Sequence, residues 1–362
     1  MFRALSPLLL LCACFRSSAA PADDAPESSA PEPLVADAAL VCDGLSLDER
    51  VAQLLVAYPQ TKHSAPVRVG GVIYVGGLLR DLDKARERIA DATSRARVPP
   101  FFAVDMEGGR FNRMPRHSDL KDMPSARAMA KLSDDEVQAW GARVGRAMRG
   151  IGLNMNLAPV LDVASTGHMH SNERAFSGDA DVVIAKGRAF ARGLRSAGVL
   201  PVGKHFPGYG DLADDSDHHL VTSDWPEDHL NAHIRVFREA APDLGGVMLS
   251  NIIYSSRSTV PAILDPGLVK EARGIAGLTI TDDLAIDALN AAGGGDPAEV
   301  VRKALIAGND LILTTAPPDW DRGLDYIGIL STYAAEVPEA ASAVDAACRR
   351  VIQAKIDLGL IK

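Results

Sequence analysis

Val199-Leu200-Pro201-Val202-Gly203-Lys204-His205-Phe206-Pro207-Gly208 begins as an apolar run and ends in charge. The run reads as a strand buried on both faces, and the polar residues after it read as the strand's end and the loop that follows. That loop continues as Tyr209-Gly210-Asp211-Leu212-Ala213-Asp214-Asp215-Ser216-Asp217-His218-His219-Leu220. Residues 203–220 hold one lysine, three histidines, four aspartates and three glycines, too irregular for helix or strand. A loop of this kind at the end of a rigid strand is where binding and catalytic groups collect.

The same arrangement recurs along the chain. Short apolar runs occur at Val69–Tyr74, Pro100–Val104, Asn154–Ala158, Gly246–Leu249, Leu278–Ile280 and Asp310–Leu313, with an earlier one in Leu54–Ala57. Between them lie helical patterns, clearest at Asp83–Arg97, Ser133–Gly150, Asp181–Ala197, Glu227–Ala241, Ala298–Ala307 and Pro338–Leu360. Leu45-Ser46-Leu47-Asp48-Glu49-Arg50 adds a capped helix start. Strand and helix alternating about eight times predict a parallel sheet, and the length fits a closed (β/α)₈ TIM barrel in one domain. An open doubly wound sheet is the alternative. It lacks the glycine-rich turn that a dinucleotide site would place after the first strand. Polar groups follow several strands: Asp105, Asp162, Lys204-His205, Asn251 and Asp282-Asp283. In a barrel these strand ends would meet at one mouth.

The chain ends frame this domain. Of 362 residues, 47% are hydrophobic and 23% charged, ordinary for a globular protein. A net charge of −9 argues against nucleic acid as a partner. Met1-Phe2-Arg3 followed by the apolar Ala4–Ala13 fits a secretory signal peptide, over about residues 1–19. Within it, Leu11-Cys12-Ala13-Cys14 resembles a bacterial lipobox with Cys14 as the lipidated residue; cleavage after Ala19-Ala20 is the alternative. The Pro-, Ser- and acid-rich residues 20–40 read as a disordered tether, leaving 41–362 for the barrel. This predicts a cell-envelope or periplasmic location, with a lipid anchor as the only membrane contact. Cys42 and Cys348 remain after processing, either as a disulfide joining the ends or as two buried thiols.

Two carboxylate groups stand out: Thr281-Asp282-Asp283-Leu284 at a strand end, and the loop Asp214-Asp215-Ser216-Asp217-His218. Cleaving a glycosidic bond with retention needs a carboxylate nucleophile and a proton donor across the bond, about 5–5.5 Å apart in the two-carboxylate case. With Asp105-Met106-Glu107-Gly108-Gly109-Arg110 and Asn156–Asp162, these motifs and Lys204-His205-Phe206-Pro207-Gly208 together resemble glycoside hydrolase family 3. The resemblance is to its single-domain β-N-acetylhexosaminidase branch, in motif order from about Leu45 to Leu360. It implies a retaining barrel enzyme that removes terminal β-linked N-acetylglucosamine, often from peptidoglycan fragments, without metal or organic cofactor. It implies Asp282 as nucleophile, and Asp105, Arg113, Arg174, Lys204 and His205 as sugar-binding residues.

The loop departs from that family in two places. The family's Asp-Ser-His, whose histidine is the acid/base, reads Asp215-Ser216-Asp217 here, and Tyr209 stands where a histidine is usual. Asp217 itself, His218 or His219 would then move the proton. An aspartate starts from about 3.9 and needs raising, whereas a histidine starts near 6.5. His219 keeps the family spacing, with Asp217 two residues before it. A site that binds sugar without turnover is the other reading. A metal site made from Asp214, Asp215, Asp217, His218 and His219 ranks last, because the spacing is too dense for one ion. With aromatics at 5%, a pocket for one terminal sugar on a monomer is expected, not a long stacking groove.

Overall fold

The computed structural model describes residues 37–59, 67–315 and 325–362. The expected signal peptide, Cys14 and nearly all of the expected tether lie outside the described residues. Eight parallel strands form one sheet: β1 Leu55–Ala57, β2 Gly71–Ile73, β3 Phe101–Val104, β4 Met155–Asn156, β5 Leu200–Phe206, β6 Gly246–Leu249, β7 Leu278–Thr281 and β8 Ile312–Thr314. The order is β8-β1-β2-β3-β4-β5-β6-β7. The ends of that order meet: Ile280 bridges Leu311, and the Thr281 and Leu284 amides donate to Leu311 and Leu313 carbonyls at 3.0 Å each. The sheet is therefore a barrel, and the open alternative is set aside. A separate two-stranded pair, Thr222–Ser223 with Ile253–Tyr254, lies above it.

Each predicted strand is present: β1 to β4 are shorter than expected, β6 matches, and β5, β7 and β8 run on to Phe206, Thr281 and Thr314. Helices form where predicted, at Leu82–Arg95, Asp134–Gly150, Ala180–Ser196, Glu227–Ala240 and Pro297–Ala307, and the last runs Pro338–Asp357. Ser46 and Ser133 each accept from the amide three residues on, while Glu49 and Glu136 return the bond. Such boxes satisfy amides that a helix start leaves unpaired. Two further helices form at Pro266–Arg273, capped by Asp265, and at Tyr326–Glu336. The folded part also starts before residue 41. Asp37 caps a helix over Ala38–Asp43, so the end of the expected tether is ordered structure.

Cys42 in that first helix and Cys348 in the last are joined by a disulfide, Cα to Cα 6.3 Å across 306 residues of chain. An Arg349–Asp43 ion pair at 2.6 Å lies beside it.

The alternation of the strands positions the site. Phe101 and Ala103 of β3 pack inside the barrel, whereas Phe102 and Val104 pack against the helices. Leu200 and Val202 of β5, Leu278 and Ile280 of β7, and Leu311 and Leu313 at β8 are also interior. Two residues further along each strand the same face carries Asp105, Lys204, Asp282 and Thr315. All four line a cavity at the carboxyl ends of the strands.

Candidate active site

The cavity has a volume of about 550 Å³. Asp282 lies on the face that carries Leu278 and Ile280 below it, with its own amide donating to Leu249 at 3.0 Å. Burial pushes its carboxyl up to about 6; His205 opposes this, Asp217 adds to it, and the Asp283 amide and Lys204 oppose it. A carboxylate tuned by a histidine, a lysine and a second carboxylate is characteristic of a reacting group. Its neighbour Asp283 has a structural task. Its side chain accepts from the Ala285 and Thr315 amides at 2.9 and 3.0 Å and from the Thr315 hydroxyl, fixing the turn after β7.

Opposite lies a buried charge network. Lys204 Nζ is 2.7 Å from Glu107 Oε1, and Arg174 donates Nε and Nη2 to the two Glu107 oxygens at 2.8 Å. Burial alone would raise the Glu107 carboxyl, but Arg174 and then Lys204 hold it far below the usual range. Glu107 was not among the predicted site residues, although it stood in the Asp105–Arg110 motif. Arg174 also lies over the Phe111 ring, 4.7 Å from its centroid, and approaches His205 Nε2 at 3.3 Å.

Asp162 was also missing from the predicted site. It is fully buried and accepts three bonds: from the His205 amide at 3.2 Å, the Tyr209 amide at 2.8 Å and His205 Nδ1 at 2.7 Å. With Nδ1 donating, the other ring nitrogen is an acceptor, aimed toward Arg174 and the cavity. Its signal was a lone acid after an apolar strand, Pro159-Val160-Leu161.

Asp105 and Arg113 both line the cavity but are paired with each other: Arg113 Nε donates to Asp105 at 3.0 Å, and Nη2 to its second oxygen. One fork thus fixes the Asp105 carboxylate, and each oxygen keeps further acceptor capacity on the cavity side.

The loop is divided by the structure. Asp215, Asp217 and His218 line the cavity, and His219 does not. Asp217, His218 and His219 are all exposed, and the His218 and His219 amides both donate to the Asp215 carbonyl at 3.1 Å in the turn. The spacing of His219 matched the family, but its side chain is not among those that line the cavity. His218 Nε2 is 3.9 Å from Asp215, and His168, from the segment after β4, is 3.9 Å from the other oxygen of the same carboxylate. Among the described residues, no group of three or more His, Cys, Asp and Glu side chains is placed to hold a metal ion.

Residues 46–354 match the glycosyl hydrolase family 3 N terminal domain. The chain belongs to glycosyl hydrolase family 3. A beta-hexosaminidase from Methylococcus capsulatus is 32% identical over 265 residues, covering 69% of this chain and 76% of that one. The crystal structure of a beta-N-acetylhexosaminidase from Beutenbergia cavernae superposes with a TM-score of 0.77 at 28% identity, over 86% of this chain and 98% of that one. A family 3 glycosyl hydrolase from Mycobacterium smegmatis gives 0.74 at 32% identity, over 86% and 98%. The barrel predicted from the alternating pattern is the fold shared with these family 3 structures. As a family 3 member the chain is a glycoside hydrolase, with Asp282, Lys204, His205, Arg174, Asp105, Arg113 and the 215–218 loop lining a single mouth.

Proposed function

We propose that this chain is a retaining exo-β-N-acetylglucosaminidase acting on terminal β-linked N-acetylglucosamine, with peptidoglycan fragments as its substrates. The observation that carries the reading is a strand-end carboxylate, Asp282, in one cavity with Asp217 and His218 of the loop after β5. Asp282 attacks the anomeric carbon, and the glycosidic oxygen leaves with a proton from the loop. Water then attacks the glycosyl-enzyme bond, returns a proton to the loop and frees Asp282. Asp217 is the acid/base in this reading, because it holds the place of the family's histidine and lines the same cavity as Asp282. His218 is the second candidate, because Asp215 lies 3.9 Å from its ring. Lys204, His205 and Arg174 face the sugar, held by Glu107 and Asp162.

The rival reading is an envelope protein that binds muropeptides without cutting them, supported by an aspartate at the histidine's place. Hydrolysis of a chromogenic β-N-acetylglucosaminide decides between them, with Asp282→Asn, Asp217→Asn, His218→Ala and His219→Ala measured beside the wild type. Turnover lost in Asp282→Asn and in one cavity-lining loop variant, but kept in His219→Ala, is the expected pattern. A wild type that binds N-acetylglucosamine yet leaves both the chromogenic substrate and peptidoglycan fragments uncut selects the rival.

The lipobox reading extends the proposal to a lipid-anchored, monomeric envelope enzyme. Cys14→Ser would release it from the membrane fraction, and an unchanged distribution would remove the anchor.

A further inference from the structure

We propose that Tyr209 is a positioning residue whose hydroxyl clamps the 214–217 loop segment over the cavity and so sets Asp217 against Asp282. This goes beyond the assignment of the acid/base and rests on the glycosidase reading above.

The loop leaves β5 through Gly208 and Gly210, at φ 141° and 58°, a region that side chains with a Cβ rarely adopt. At Gly210 a Cβ would lie 2.3 Å from the Trp225 ring. Between them the Tyr209 side chain turns inward and is buried. Its amide donates to Asp162, the carboxylate that also holds His205, so ring and imidazole are placed from one point. The ring stacks on His168 at 5.7 Å and meets His205 edge-on at 6.0 Å.

The hydroxyl is used in both directions. It donates to the Asp214 carbonyl and accepts from the Ser216 amide at 2.8 Å. Those two backbone groups bracket Asp215 and immediately precede Asp217. The base of the loop has separate anchors. Asp211 accepts from the Ser165 and Thr166 amides at 2.6 and 2.8 Å, and the Leu212 carbonyl accepts from the His168 amide at 2.8 Å. The Tyr209 hydroxyl therefore ties the tip to the barrel. Burial pushes the phenol up to about 12, so it stays protonated and able to donate across the working range. An imidazole at this position could not place one oxygen between a carbonyl and an amide. The tyrosine and the altered acid/base segment are therefore parts of one arrangement.

Tyr209→Phe removes the hydroxyl and keeps the ring. Hydrogen exchange of the Ser216 amide should accelerate by about tenfold or more, while the core Phe102 amide and the melting temperature hold. With the chromogenic substrate, kcat should fall by about tenfold while KM stays within about twofold, because the sugar contacts remain and only the proton donor is displaced. Unchanged exchange at Ser216 overturns the clamp. Faster exchange with unchanged kcat overturns the positioning role. Acceleration of Phe102 alongside Ser216 also overturns it, as global destabilisation. A wild type without turnover defeats the proposed function, and the exchange comparison then still decides the clamp by itself.

Discussion

Arg174 and Glu107 form a two-pronged ion pair, both bonds 2.8 Å, deep in the wall of the cavity. The pair matters because Lys204 of β5 leans on the same carboxylate. Desolvating three charges is costly, and removing one from a buried set leaves the others uncompensated. Glu107→Ala is therefore expected to lower stability by about 3 kcal/mol in urea unfolding and to raise KM for the sugar. A change of under about 1 kcal/mol, with KM intact, would show that Arg174 and Lys204 hold their places without Glu107.

Asp282 should control the acid side of the pH profile. In the proposed mechanism the carboxylate must be ionised to attack, and its affinity for protons is pushed from 3.8 up to about 6 by burial. kcat/KM should rise as pH increases through about 6. Asp282→Asn should cut kcat by about a thousandfold or more without loss of fold.

The same residue makes a stability prediction of defined sign. Between pH 3.8 and about 6 the native state holds a proton that the unfolded chain has released. Stability therefore falls as pH rises across that window, and the cost is complete above it. Asp282→Asn should be more stable than wild type at pH 7, by about 2 to 3 kcal/mol at most, with the difference shrinking toward pH 4. Equal denaturation midpoints at pH 4 and pH 7 would count against burial as the cause.

Lys355 is a second buried group, at the opposite end of the barrel from the cavity. Its amine donates to Gln53 Oε1 at 2.7 Å and lies 5.3 Å from the centre of the Phe101 ring. Burial lowers it from 10.5 to about 7. The native state thus holds fewer protons than the unfolded chain between those values, so this group's contribution to stability improves as pH rises from 7 to 10.5. Lys355→Met should stabilise at pH 7 by about 1 to 2 kcal/mol, because removing the burial cost outweighs the bond lost at Gln53. By pH 10 the gain should disappear, leaving only the unpaired Gln53.

The bond between Cys42 and Cys348 closes a loop of 306 residues. Constraining so long a segment in the unfolded chain stabilises by about 5 to 6 kcal/mol in the chain-entropy view. The double Cys→Ser variant should melt well below the oxidised protein and match the reduced wild type. Free thiols titrated at both positions in the unreduced, denatured protein would remove the claim.

Much of the site could be read without coordinates, for a simple reason. Asp105, Lys204 and Asp282 each continue the inward face of a strand, and alternation is a local property. Glu107 could not be read this way. It sits before Gly108 and Gly109 in a turn, and only the fold brings Arg174 and Lys204 to it. The choice among loop residues also escaped local reasoning. Spacing favoured His219, but Asp217 and His218 are the ones that line the cavity, and the backbone before them is held by Tyr209. The early start at Ala38 was masked by the acid- and alanine-rich residues before it, among which the Asp37 cap looks like one more tether residue. Tyr326–Glu336 was missed because its apolar residues are spread around the helix, with no stripe to mark it.

Asp162 contacts His205 and Tyr209 but is not among the residues that line the cavity. A mutational screen scored on turnover would nevertheless rank it beside the reacting groups, since losing it would misorient an imidazole and release a loop at once. Engineers wishing to retune this enzyme's substrate range have freedom along the cavity rim, but that hidden carboxylate is a hub they should leave untouched.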